Sequence, residues 1–265
     1  MTKISVADIL NKKNHDKIVC LTAYSYSVAK ILDDFCDIIL VGDSLGMCIY
    51  GLKDTVDVSL GMMIDHGKAA TRACKRALVV VDIPANTFEK SPQQALETAQ
   101  KIMGETLCDA VKIETDTNQI AAIKLIAENK IPIMAHVGLL PQQVRELGGY
   151  KYQGRDNESA NKIIDLALQA EAAGAFSIVI EAVPAWLADE ISAQLTIPTI
   201  GIGASKNCDG QVLVIDDVLG LNQEFTPKFV KKYANLAEII KNSVENFRNE
   251  VKNGDFPQKS NLLEK

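Results

Sequence analysis

The sequence predicts an α/β fold: a (β/α)8 TIM barrel with an N-terminal extension and C-terminal helices, built as a single domain over residues 1–265. Three observations carry this. Eight short β-rich stretches, bounded by turn residues, run from residue 18 to residue 216. Most of them are continuously apolar, as strands buried on both faces of a parallel sheet are. Helix-patterned segments separate most of them, so strand and helix alternate along the chain. A length of 265 residues, 47% of them hydrophobic, suits one large core of this kind.

The elements follow in order. Strand 18–24 precedes a helical pattern over 25–34, and strand 37–43 precedes a longer one over 59–74. Strand 77–84 leads to Ser91-Pro92, an N-cap followed by an N1 proline, which opens a helix over 92–106. Strand 110–114, helix 118–128 and strand 133–139 come next. The connection 140–156, with Pro141 and Gly148-Gly149, is long, and long loops at that end of a barrel usually cover the site. Helix 159–173 stops at Gly174, before strand 176–183 and helix 185–193. Strands 199–203 and 211–216 close the set, joined near residue 205 by a connection too short for a full helix. The tail carries a helix over 231–251 and then a polar terminus expected to be loose.

Composition narrows the function classes. A net charge of -6 gives no long-range attraction to nucleic acid or an anionic membrane, and the densest basic group, Lys228, Lys231 and Lys232, reads as a solvated helix face. The first residues lack the apolar core of a secretory signal, and no run approaches the length of a membrane span, so a cytoplasmic protein is expected. Six cysteines, Cys20, Cys36, Cys48, Cys74, Cys108 and Cys208, show no metal-binding or disulfide spacing. Cys20 and Cys108 read as small core fillers.

Barrels place their chemistry at the C-terminal ends of the strands, which yields one set of polar residues: Asp43, Ser44, Asp82, Lys112, Glu114, His136 and Glu181. Asp43, Asp82 and Glu114 end three separate strands. Carboxylates crowded in a poorly hydrated cleft repel each other until a proton or a cation joins them, and a hard metal ion is the favoured partner. Lys112 and Glu114, two apart on one strand, face the same side. Taken alone they are as well explained by an interior ion pair, and each aspartate by a helix cap; together they favour a site. His136 is equally a core histidine or a catalytic one. Partial desolvation of Glu181 in its apolar strand suits proton transfer. Gly201 and Gly203 are read as packing rather than as a phosphate loop. His66 and Arg72 are assigned to surface or subunit contacts, and Tyr24 to packing.

Nine strings, in order over nearly the whole chain, resemble the ketopantoate hydroxymethyltransferase (3-methyl-2-oxobutanoate hydroxymethyltransferase) family. They are Leu21-Thr-Ala-Tyr24, Val41-Gly-Asp-Ser-Leu-Gly-Met47, Asp82-Ile-Pro84, Val111-Lys-Ile-Glu114, His136-Val-Gly-Leu139, Gly148-Gly-Tyr-Lys-Tyr-Gln-Gly-Arg155, Ile180-Glu-Ala-Val-Pro184, Ile200-Gly-Ile-Gly-Ala204 and Asp209-Gly-Gln-Val-Leu213. The resemblance implies a one-carbon transferase of pantothenate biosynthesis that uses 5,10-methylenetetrahydrofolate and Mg2+. It implies Asp43, Asp82 and Glu114 as magnesium carboxylates, Glu114 either directly or through water. It further implies Asp43, Ser44, Asp82 and Lys112 as 2-oxo acid contacts, Glu181 as proton acceptor, His136 near the substrate, and a large homo-oligomer, commonly a decamer.

Three departures stand out: Ala85-Asn-Thr-Phe88 after Pro84, Ser25 where the family usually has Asp, and Asp216-Asp217 where it usually has His-Asp. None touches the metal carboxylates; they bear on loop shape, rate and the folate pocket. The competing readings are a Mg-dependent lyase or aldolase acting on 2-oxo acids, and a barrel that binds a metabolite without turnover. A Schiff base on Lys112 is disfavoured, because neighbouring carboxylates keep that lysine charged.

Overall fold

All eight predicted strands form, and they close on themselves. The computed structural model of the protein describes residues 2–223 and 226–263. The strands are β1 (Ile18–Thr22), β2 (Ile38–Val41), β3 (Leu78–Asp82), β4 (Ala110–Glu114), β5 (Ile133–Gly138), β6 (Ser177–Glu181), β7 (Thr199–Ile202) and β8 (Gly210–Leu213). They pair in chain order as a closed barrel, and the closing β1–β8 pair is parallel like the rest.

The helices are α1 (Val6–Leu10), α2 (Tyr26–Leu32), α3 (Leu45–Tyr50), α4 (Leu60–Ala73), α5 (Pro92–Thr106), α6 (Ile120–Glu128), α7 (Val144–Leu147), α8 (Asn157–Ala172), α9 (Ala185–Gln194), α10 (Ile215–Leu219) and α11 (Leu236–Asn253). The chain divides into two compact units, Met1–Val214 and Ile215–Lys265. The first holds the whole barrel with α1 to α9, and the second holds α10 and α11.

Strand geometry explains how the core and the polar residues share one barrel. Successive side chains alternate faces, and the inward set forms one buried cluster: Ile18, Cys20, Ile38, Leu40, Leu78, Val80, Ala110, Met134, Val179, Ile200 and Val212. The N-terminal extension contributes Ile9 to this cluster, with Ile4 and Val6 packed against it, and so plugs the barrel. Each fully buried aliphatic side chain of this kind contributes roughly 1.5–3 kcal/mol. Two residues further along the same inward rows, Val80 gives way to Asp82, Ala110 to Lys112, Met134 to His136 and Val179 to Glu181. The interior is therefore apolar at one end and ionisable at the other.

Helix starts are fixed by capping side chains. Ser25, Ser59, Ser91 and Asp156 each accept a hydrogen bond from a backbone N–H in the first turn, worth about 1 kcal/mol apiece. Ser25 thus does the capping that an Asp does equally well, so that departure leaves α2 intact. Helix α8 begins at Asn157 rather than at 159, because Ser159 is the reciprocal partner of Asp156 in a capping box and not the first residue. Strand β8 stops at Leu213, and Ile215 already belongs to α10. The connection from β7 to β8 holds no helix, as its length requires. The terminus after α11 is not featureless: Phe256 packs edge-on against Phe247 at 5.4 Å between ring centres.

Candidate active site

The barrel register sets the site. Asp82 lies beside Lys112 across β3 and β4, Glu114 beside His136 across β4 and β5, and Gly138 beside Glu181 across β5 and β6. With side chains pointing inward, these neighbours make a row around the mouth. Lys112 Nζ is 3.0 Å from Asp82 Oδ1 and 3.5 Å from His136 Nδ1, and His136 Nε2 is 3.2 Å from Glu181 Oε2. Lys112 and Asp82 make a close charge contact, and His136 lies close to Glu181, but among the described residues neither Asp82 Oδ1 nor His136 Nε2 has an aligned hydrogen-bond partner.

Asp43 and Ser44 lie just past β2, at the start of the turn that opens α3, where Gly46 N–H donates to Asp43 O. Neither side chain caps that helix, so the capping explanation for Asp43 does not apply. Instead Asp43 N–H donates to Asp82 Oδ2 at 3.0 Å, which ties the two aspartates together, and Ser44 Oγ shares a 2.7 Å hydrogen bond with Tyr24 OH.

The electrostatics are those of a crowded, dry site. Asp43, Asp82, Lys112, Glu114 and His136 are all buried. Burial pushes the Asp82 carboxyl up to about 7 against the pull of Lys112, and the Asp43 charge adds to the rise. Burial and then Asp43 push Glu114 well above the usual carboxylate range, and burial raises Asp43 despite Lys112 and Gln142. Burial alone would lower Lys112, but the Asp82, Asp43 and Glu114 charges around it raise it instead and keep it an ammonium. Burial and the Lys112 charge depress His136, so its neutral imidazole is favoured.

Two residues that the sequence did not single out for the site belong to it. Gln142, in the 3-10 turn Pro141–Gln143 of the long connection, is buried and touches the carboxylates of both Asp43 and Glu114. The site signal had been the length of that connection, which does cover the mouth. Tyr24, assigned to packing, holds Ser44 as well. His66, assigned to surface or subunit contacts, is half-buried and bonded to the Tyr24 carbonyl and to Tyr50 OH. Gly201 agrees with the packing reading, since a Cβ there would lie 3.1 Å from Cys208 Sγ. The departing segment after Pro84 forms a turn with Asn86 at φ +65° and Phe88 buried.

Hard oxygen donors from Asp43, Asp82 and Glu114 suit a divalent cation such as Mg2+. Among the described residues, Lys112 is the buried ammonium beside these carboxylates, and Asp82 Oδ1 is buried without an aligned partner. Among the described residues no three acidic, His or Cys side chains already enclose one ion position. Asp43 and Asp82 are the adjacent pair, whereas both Glu114 oxygens face the Gln142 N–H.

Among solved structures, the barrel resembles a phosphonopyruvate hydrolase (TM-score 0.64, 12% identity, covering 100% of this chain and 92% of that one). It also resembles a 2,3-dimethylmalate lyase of the PEP mutase/isocitrate lyase superfamily (TM-score 0.61, 14% identity, 96% and 88% covered). These likenesses speak to the fold. Sequence relatives are far nearer. A 3-methyl-2-oxobutanoate hydroxymethyltransferase of Cereibacter sphaeroides is 47% identical over 260 residues, 98% of this chain and 94% of the relative. One from Chelativorans sp. is 48% identical over 250 residues, 94% and 89% covered. The family model described as ketopantoate hydroxymethyltransferase matches residues 3–259, and the chain belongs to that family.

Proposed function

We propose that this chain transfers a hydroxymethyl group from 5,10-methylenetetrahydrofolate to 3-methyl-2-oxobutanoate, giving 2-dehydropantoate and tetrahydrofolate for pantothenate and coenzyme A biosynthesis. The observation that carries the reading is the row Asp82, Lys112, His136, Glu181 at one barrel mouth, in a chain matched by the family over residues 3–259.

The chemistry needs a carbon acid made nucleophilic in a site that excludes water. Asp43 and Asp82 would hold a Mg2+ ion, with Glu114 acting through water. A bound divalent cation supplies Lewis acidity toward the keto oxygen of the 2-oxo acid. Lys112 neutralises the substrate carboxylate or the developing enolate, and fixed charge of this kind is most effective in a dry cleft. Glu181 takes the C3 proton. Neutral His136 lies between Lys112 and Glu181, 3.2 Å from that carboxylate, and adds no positive charge that would lower its basicity. Ser44, fixed by Tyr24, and Asp43 contact the acid. The enolate carbon bonds to the methylene carbon, both of whose C–N bonds break; one water supplies the hydroxyl oxygen, and the C3 proton and a proton from that water end on the two released nitrogens of tetrahydrofolate.

The protein is taken to work in the cytoplasm as a homo-oligomer, a decamer by family resemblance. No helix among the described residues is long and apolar enough to cross a membrane. Helix α11 has no buried residue, yet it carries Ile239, Ile240, Val244, Phe247 and Val251, an apolar set that a partner subunit would cover.

One assay tests the function: 3-methyl-2-oxobutanoate with methylenetetrahydrofolate, with and without Mg2+, following product by mass. Formation of 2-dehydropantoate that needs both substrates and the metal is expected. Cleavage of a 2-oxo acid without folate would instead favour the lyase or aldolase reading, which the family match disfavours.

A further inference from the structure

Gln142 uses every N–H it has on the site. Its backbone N–H donates to Glu114 Oε1 and Oε2 at 3.0 and 3.1 Å. Its side-chain Nε2 donates to Asp43 Oδ2 at 2.7 Å and to Ile83 O at 3.0 Å. One residue from the connection after β5 thus bridges groups just past β2 and β3 and at the end of β4. The amide orientation is dictated by its surroundings, because the reverse would set Oε1 against a carboxylate and a carbonyl, with no donor between them.

The remaining atom, Gln142 Oε1, is buried and has no partner among the described residues. A buried acceptor left open keeps its desolvation cost uncompensated, so its presence asks for a donor that enters the site. The segment carrying Gln142 is anchored from outside as well: Arg145 grips Asp54 through Nε and Nη2 at 2.8 and 2.9 Å and reaches Asp57 at 2.6 Å.

We propose that Gln142 is a positioning residue that fixes the Asp43 and Glu114 carboxylates relative to each other for cation binding, and that its open Oε1 receives a hydrogen bond from water in the site. This rests on the metal reading given above. Partners that orient metal-binding carboxylates typically account for 10- to 100-fold in metal affinity.

The test uses metal-free full-length protein and Mn2+ as the probe, with free Mn2+ read by electron paramagnetic resonance. Q142A and Q142M are expected to bind Mn2+ roughly 10- to 100-fold more weakly than the parent, while melting as cooperatively as the parent. At fixed subsaturating Mn2+, the KM for 3-methyl-2-oxobutanoate should rise and that for methylenetetrahydrofolate should not. If Q142A fails to fold, Q142M, close to glutamine in volume, supplies the measurement. Loss of Mn2+ binding in D82N combined with parental binding in Q142M would overturn the role of Gln142 and leave the metal reading standing. Parental binding in both D43N and D82N would overturn the metal reading itself, and this inference with it.

Discussion

Replacing Lys112 with Met removes the ammonium buried among the carboxylates and nearly preserves the length of the stem. The perturbation can be sized from the geometry. The Lys112 and Asp82 side chains are 7% and 3% exposed and 3.0 Å apart. At an effective dielectric near 20, unit charges at that separation attract by about 5.5 kcal/mol. Much of that attraction offsets the loss of hydration of both groups, so the intact pair is a small net stabiliser. Losing only the cation is different, because Asp82, Asp43 and Glu114 then have no counter-charge. The expected cost is about 3–5 kcal/mol, or roughly 6–20 °C in melting temperature for a chain of this size.

The double variant K112M/D82N isolates the cause. The asparagine that replaces Asp82 can still accept from Asp43 N–H through its amide oxygen, keeping the 3.0 Å bond that the carboxylate accepts now, so only the charge is withdrawn. The double variant should recover at least about 1.5 kcal/mol relative to K112M, a coupling within the range seen for neighbouring charges. Urea unfolding of the metal-free proteins in a chelating buffer measures the cycle. If K112M lies within about 1 kcal/mol of the parent, or K112M/D82N is no more stable than K112M, the charge-balance account of the site is wrong.

Other expectations are independent of that cycle. E181Q should lower kcat by roughly 100- to 10,000-fold while binding Mn2+ like the parent; undiminished turnover would remove Glu181 from proton transfer. Chelation should abolish activity and Mg2+ restore it, and borohydride with the 2-oxo acid should leave Lys112 unmodified; a covalent adduct there would replace the metal route with a Schiff base. G138A should unfold more easily by over about 1 kcal/mol, because Gly138 has φ +96° and a Cβ would meet Glu181 O at 2.3 Å. Its turnover should fall too, and parental kcat would show that Glu181 does not depend on this close approach. Asp209 accepts from Thr199 N–H, Thr199 Oγ and Lys13 Nζ at 2.8–3.0 Å. Burial works against its charge, but these donors and Asn14 hold its carboxyl below the usual range. Its stabilisation is thus present above an ordinary carboxylate pKa and is lost as pH falls through the lower folded value. D209N should cost about 1.5–3 kcal/mol at pH 7, with the gap from the parent closing below about pH 4; a constant gap down to pH 2 would contradict this.

Much of the architecture is local information. A buried parallel strand announces itself by an apolar run, so each of the eight strands was legible, from β1 at Ile18 to β8 ending at Leu213. Helices long enough to show a period, such as α4, α5 and α8, were legible for the same reason. Shorter ones were not: α1, α3, α7 and α10 have four to six residues each, too few for a pattern to separate from a turn. The ionisable strand ends were readable as well, since strand alternation places Lys112 and Glu114 on one face before any coordinates are known.

What the chain alone could not supply is which of those groups meet. Closure of the barrel sets the register that brings Lys112 beside Asp82 and His136 within reach of Glu181. The connection after β5 has no period to read, so the role of Gln142 emerges only where it folds back over Asp43 and Glu114. Burial likewise exists only in the closed barrel: the same carboxyl that is ordinary in a free strand is pushed up to about 7 at Asp82 once water is excluded. Residue type and alternation depend on neighbours in the chain, whereas proximity and dielectric depend on residues far from it in sequence, and those decide the chemistry.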